Sequence, residues 1–349
     1  MRIGALSKLK RTARWIKGRV AEKALILMYH RVAQSRDDPH KLSVTPQHFA
    51  EHLEILRKYT RPTAFQHLLL ALRDNRIQRR TVVVTFDDGY ANNLYNAKPL
   101  LDRCEIPATV FVTTGSLESK GRFWQAALER LLLRPGILPE KLCLNIEGRV
   151  YQWVLVGATS YGEESDREYH RSNDAQGRNC PSRRQLLYDS LRQLISPLLE
   201  GNRRKLLDEL FAWARMGRMD DEISRALSPE EVVSLADGGL VEIGAHTVGH
   251  PVLSELTVDL QRHEIRQSKA CLEEILGRSV TSFAYPFGTR SAYTEQTVAM
   301  VREAGFTSAC SAFPGAIHQG MNLYELPRRA ALDWDGEAFE RQLAKWFCD

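Results

Sequence analysis

Cysteine is scarce in this chain of 349 residues: there are six (Cys104, Cys143, Cys180, Cys271, Cys310 and Cys348), and no two form a Cys-x-x-Cys pair. That excludes a disulfide framework and a zinc knuckle built from thiolates. Long apolar runs are also missing. No stretch approaches the roughly 20 residues that a membrane span requires. The only early apolar run, Ala24–Tyr29, is too short for the core of a secretory leader and has no small-residue cleavage site behind it. The chain therefore reads as cytoplasmic. A large charge imbalance is lacking too, since the net charge is +5, too little to imply a nucleic-acid partner. With 43% hydrophobic and 26% charged residues, a packed core is expected and wholesale disorder is not.

What charge excess exists is local. Residues 1–23 carry eight Lys or Arg against Glu22 alone, a net +7, interleaved with Ile3, Leu6, Leu9, Trp15, Ile16 and Val20. The pattern suits a basic amphipathic helix lying on an anionic membrane surface, which would place the protein peripherally at the inner face. It equally suits a solvated terminal helix.

From Ala24 onward, strand and helix patterns alternate. Ala24–Tyr29 and Thr81–Phe86 (TVVVTF) are wholly apolar or β-branched, as strands buried on both faces are. Strands are also expected at Ala108–Thr113, Gly239–Ala245, Ser282–Tyr285 and Phe306–Cys310. Helices are expected at Pro46–Tyr59, 91–103, Leu256–Leu276 and Tyr293–Ala304. Such alternation implies an α/β fold with a parallel sheet. The stretch from about 118 to 228 breaks the rhythm with a polar segment and two helical patterns (183–199 and 203–215). It reads as a largely helical insertion in a barrel loop.

Two motifs carry chemistry. Thr85-Phe86-Asp87-Asp88-Gly89-Tyr90 puts adjacent carboxylates where an apolar strand ends, and adjacent acids repel unless a cation or a proton intervenes. His246-Thr247-Val248-Gly249-His250 follows another strand. On a helical turn, imidazoles at i and i+4 face the same way and can share a metal. Alone, the first is an ordinary turn and the second a pair of surface histidines. Together, two His and one Asp make a three-ligand site with open positions, and the spare carboxylate can serve as general base.

These motifs resemble the polysaccharide deacetylases of the NodB-homology type (carbohydrate esterase family 4). The resemblance covers roughly 24–117 and 229–335, all within a barrel expected to span 24–349. It implies a distorted (β/α)7 TIM-like barrel, with Asp87 as catalytic base and Asp88, His246 and His250 as ligands to a divalent metal, expected to be Zn²⁺. Thr247 stands where the family supports its metal loop. The third motif, usually Arg-x-Pro-Phe/Tyr, reads Ala284-Tyr285-Pro286-Phe287-Gly288 here. Phe287 would give an oxyanion N–H, with Tyr90 as a further substrate contact. Ala284 replaces the arginine, whose charge Arg328 or Arg329 is expected to supply.

A late Leu-x-x-His is absent, and His30 or His318 is the candidate general acid. The implied substrate is an N-acetylated saccharide, lipid- or nucleotide-linked, in surface or exopolysaccharide biosynthesis. Two alternatives are hydrolysis of a non-sugar C–N bond on the same barrel, and a degenerate barrel that binds saccharide without turnover.

Overall fold

The computed structural model describes residues 23–35, 38, 41–117, 124–133, 136–155, 160–161, 182–198, 200–216 and 222–349. The basic segment 1–22 and the polar stretch 162–181 lie outside the described residues. The chain divides into two compact units, one of Met1–Lys120 with Ala226–Asp349 and one of Gly121–Arg225.

The first unit is built on a parallel sheet whose main path has seven strands among the described residues: β1 (Ala24–Tyr29), β2 (Thr81–Phe86), β3 (Ala108–Val112), β4 (Val241–Ala245), β5 (Ser282–Ala284), β6 (Ser308–Cys310) and β7 (Arg329–Ala330), with a short eighth strand, Arg61–Pro62, paired to β2 off that path. Their spatial order is β6-β5-β4-β3-β2-β1-β7. At the β6 edge, Ala309 N–H donates to Leu323 O and Ser311 N–H to Leu326 O, both at 2.9 Å, which ties β6 to the segment that leads into β7. The sheet thus curls into the distorted (β/α)7 barrel. Among the described residues, seven α-helices lie around it: α1 (Pro46–Tyr59), α2 (Phe65–Arg73), α3 (Lys98–Cys104), α4 (Pro229–Ala236), α5 (Val258–Leu276), α6 (Glu295–Glu303) and α7 (Gly336–Cys348). Where 91–103 was expected to be one helix, a π-helical turn at Asn93–Ala97 precedes α3.

Strand alternation decides which side chains reach the site. Val82, Val84 and Phe86 pack outward with Phe49, Leu53 and Leu56 of α1. Val83 packs inward with Phe111, Ala284 and Cys310, and α2 adds Phe65, Leu68 and Leu72 to this inner cluster together with Ala24 at the start of β1. By the same alternation Thr85 and Asp87 follow Val83 toward the interior. Gly244 makes room there, since a Cβ on it would come within 2.4 Å of the Phe111 ring.

The second unit has its own apolar core, centred on Leu128, Leu132, Leu142, Leu191 and Leu210. Helices at Arg183–Ile195 and Glu200–Trp213 accompany one at Trp124–Leu133. The sequence reading passed over a hairpin, Lys141–Ile146 with Arg149–Val154. Its signal was present: burial alternates along Lys141–Ile146, and Glu147-Gly148, both at positive φ, forms the two-residue turn that matches strand twist.

Candidate metal centre and active site

The register of β1 on β2 pairs Tyr29 with Phe86, and Asp87 N–H donates to Tyr29 O at 3.0 Å. His30 and the two carboxylates therefore leave neighbouring strands at the same C-terminal rim. β4 lies beside β3 and ends at Ala245, so His246 and His250 enter from the same rim. This is the face where barrel folds place their chemistry.

One ligand atom each from Asp88, His246 and His250 lies within 4.8 Å of the others. Asp88 Oδ1 is 3.3 Å from His250 Nε2 and 3.6 Å from His246 Nε2. Atoms bonded at 2.0–2.2 Å to one tetrahedral ion stand roughly 3.3–3.6 Å apart. His246 Nδ1 lies 2.7 Å from the carbonyl oxygen of Ala284, so it donates there and leaves the Nε2 lone pair facing Asp88. Burial drives the His246 imidazole down to about 4, against the pull of Asp87 and Asp88, so it is neutral at pH 7. Asp88 is only 6% exposed, and its Oδ1 has no hydrogen-bond partner among the described residues. A buried carboxylate oxygen facing the lone pair of a neutral His246, with a second imidazole nitrogen beside it, is a poor arrangement unless a cation completes it. The donor set fits a divalent ion.

The two histidines do not sit on a helical turn, contrary to the sequence expectation. His246–His250 is an irregular loop in which Thr247 (φ 65°) and His250 (φ 54°) are left-handed. Thr247 Oγ1 donates to His246 O at 2.5 Å and accepts from His250 N–H at 3.0 Å, and this folds the loop back so that the rings meet 4.9 Å apart. Asp88 (φ 73°) and Phe287 (φ 60°) are left-handed as well. Among the described residues, four of the ten non-glycine residues at positive φ thus belong to these site loops. Backbone of this kind costs energy and persists where surrounding contacts enforce it.

Asp87 points into the barrel and is gripped by Arg328. Nη1 reaches Oδ1 at 2.6 Å and Nη2 reaches Oδ2 at 2.7 Å, while Nε donates to Ser311 O at 2.7 Å. Arg328 is 0% exposed, so it is no surface residue. Burial alone would raise the Asp87 carboxyl. The Arg328 charge and hydrogen bonds outweigh it, helped by His246 and His30, and hold Asp87 below the usual carboxylate range. Arg329, the other candidate, turns away to Asp349 at 3.5 Å. Where the third motif has Ala284, its backbone serves His246, and the guanidinium arrives from Arg328, directly ahead of β7.

His30 lies near enough to Asp87 for its charge to act on that carboxyl. His318 is at the other end of the barrel. Its neighbour Ile317 bonds Ala24, the first residue of β1, so six residues, about 20 Å of strand, separate it from His30. Its candidacy as general acid is withdrawn. Phe287 stacks edge-on against His250 with ring centroids 4.8 Å apart. Tyr90 is 3% exposed, its backbone bridges to Ala226 and its ring lies under the Arg31 guanidinium, which favours a supporting position over the expected substrate contact. One residue escaped the sequence reading altogether: Glu264 of α5, whose Oε2 accepts from Val248 N–H and Gly249 N–H at 2.8 Å each.

Comparison with known proteins bears on the family and the fold. A family model described as Polysaccharide deacetylase matches residues 74–137 and 208–309, a span that includes both motifs. YxkH of Bacillus subtilis (strain 168), a candidate polysaccharide deacetylase, is 21% identical over 331 residues, covering 94% of this chain and 78% of YxkH. Among solved structures, the Streptococcus pyogenes deacetylase PplD in complex with acetate superposes with a TM-score of 0.56 at 18% identity, covering 92% of this chain and 98% of PplD. IcaB from Ammonifex degensii also gives 0.56, at 19% identity and 94% and 98% coverage.

Proposed function

The chain belongs to the polysaccharide deacetylase family, and from that premise we propose that it hydrolyses the N-acetyl group of an amino-sugar saccharide at a metal centre formed by Asp88, His246 and His250. The observation that carries the reading is the orphaned, buried Asp88 Oδ1 facing two imidazole nitrogens. Two imidazoles and one carboxylate suit Zn²⁺ better than Mg²⁺ or Ca²⁺, which prefer all-oxygen shells. Bound there, a divalent cation supplies Lewis acidity and makes water easier to deprotonate.

The protein's own groups supply the rest. Asp87 takes the proton of the attacking water as that water adds to the amide carbonyl carbon. A carboxylate with a depressed pKa is an intrinsically weak base. Arg328 keeps Asp87 ionised and aimed at the expense of that basicity, so the attacking water would have to be made more acidic by the bound cation. The backbone N–H of Phe287 is the donor assigned to the developing oxyanion. His30 protonates the amine as the C–N bond breaks, and acetate and a free amino sugar result.

The same proposal places the saccharide, lipid- or nucleotide-linked, in surface or exopolysaccharide biosynthesis. The +7 charge of residues 1–23 supports contact with an anionic membrane. Among the described residues, no helix is long and apolar enough to cross one.

The test is acetate release from N-acetylglucosamine oligosaccharides by the zinc-loaded protein, alongside Asp87→Asn. Release by wild type and not by the variant supports the reading. A zinc-loaded wild type that frees no acetate from any N-acetylated saccharide would turn it toward a non-sugar C–N substrate or a binding barrel.

A further inference from the structure

α5 buries one stripe, made of Gln261, Glu264, Ile265, Ser268 and Leu272. A glutamate in that stripe is out of place for packing alone, because an unpaired carboxylate is costly to bury. Glu264 is 7% exposed. Its Oε2 receives the backbone N–H of Val248 and that of Gly249, each at 2.8 Å. Two successive N–H groups converging on one anionic oxygen form an anion-binding nest, made here by the backbone of the very loop that carries His246 and His250. The peptide planes that donate are those following Thr247 and Val248, inside a turn that needs left-handed backbone at Thr247 and His250. Thr247 Oγ1 ties the same loop from within, through His246 O and His250 N–H. The loop therefore has an inner tie at Thr247 and outer ones on two sides: Thr114 N–H and Gly115 N–H donate to Thr247 O and Val248 O at 3.1 and 2.8 Å, and Glu264 is the side chain that takes the loop's own Val248 and Gly249 N–H groups.

We propose that Glu264 is a positioning residue that holds the His246–His250 loop in its metal-receiving shape before any ion arrives. The proposal rests on the metal-centre reading above. The carboxylate offsets the cost of the left-handed residues by satisfying two amides that α5 brings within reach. Its carboxylate bonds the loop's backbone, so it acts through the loop. It also leaves a negative charge close behind a loop that is to hold a cation.

The experiment measures Zn²⁺ affinity of the full chain by competition with a chromophoric chelator, for wild type, Glu264→Gln and Glu264→Leu. Amide hydrogen exchange at Val248 and Gly249 is followed in the metal-free proteins. Gln keeps an acceptor oxygen in place, so it should stay within a few-fold of wild type in affinity, with both amides protected. Leu removes the acceptor. Loss of a partner that orients metal ligands typically weakens binding by roughly 10–100-fold, and that loss is expected here together with fast exchange at both amides. Should Leu unfold the chain, Glu264→Asp replaces it: the charge stays while the oxygen withdraws by one methylene, and the same losses are expected. Equal zinc affinity in wild type and a folded Leu or Asp variant overturns the clamp and leaves the metal centre standing. Unprotected Val248 and Gly249 amides in the metal-free wild type also overturn it. A wild type that binds no zinc overturns both the clamp and the reading beneath it.

Discussion

Arg328 meets Asp87 across 241 positions of sequence through two parallel hydrogen bonds of 2.6 and 2.7 Å. Both side chains are buried, so removing one leaves the other charged and unsatisfied. Arg328→Met should cost about 3–5 kcal/mol of stability, measured by denaturant melts. Arg328→Met combined with Asp87→Asn should recover much of that, because no uncompensated charge remains. If the double variant is as unstable as the single, the pair is not what Arg328 contributes.

Asp87→Asn should retain zinc, because Asp88, His246 and His250 are untouched, while acetate release falls by roughly 10²–10⁴-fold. Metal analysis and steady-state rates on one preparation decide this. A variant that loses its zinc would mean that Asp87, not Asp88, is the ligand.

His30 and His318 should behave oppositely. His30→Gln removes the proton donor assigned to the leaving amine and should lower kcat by about 10²-fold or more. His318→Gln, at the far end of the barrel, should leave kcat unchanged. A kcat defect in His318→Gln with none in His30→Gln would refute the assignment.

A buried histidine behind the site predicts acid lability. Burial lowers the His52 pKa to about 4 from its usual 6.5, while its ring stacks on Phe339 and its Nε2 lies 2.8 Å from Trp334 O. The folded state binds the proton less readily than the unfolded state. The contribution is therefore present above pH 6.5 and is lost as pH falls from about 6.5 toward 4. Between pH 7 and 5 the loss should be about 2 kcal/mol. Urea melts of wild type and His52→Gln at both pH values should show this extra loss in the wild type alone. Identical pH dependence would assign the lability to other groups.

How much was legible beforehand follows from how local each signal is. β1, β2 and α1 fall where apolar runs and caps put them, since strand burial and a Thr45-Pro46 helix start are short-range facts. Asp88, His246 and His250 were readable as ligand chemistry at strand ends, and they converge in the structure. Their spacing suggested a helical turn, but the loop is bent by Thr247 and Glu264, and a tie reaching 15 positions down the chain leaves no mark on a five-residue motif. Arg328 and Arg329 could not be told apart in sequence, because the pleat alone sends one inward and the other outward. Glu264 did leave a trace, as the carboxylate in a helix's buried stripe, but a stripe of that kind shows that a partner exists without naming it.

The central claim is that deacetylation depends on an ion held by Asp88, His246 and His250, and titrating zinc into metal-stripped protein while following acetate release from an N-acetylglucosamine oligosaccharide tests it most directly. The account predicts no release without zinc, a rise that levels at about one equivalent per chain as expected for a single three-ligand site, and no rise at all in His246→Gln. Undiminished release by the metal-stripped protein, or a full zinc response in His246→Gln, would contradict it.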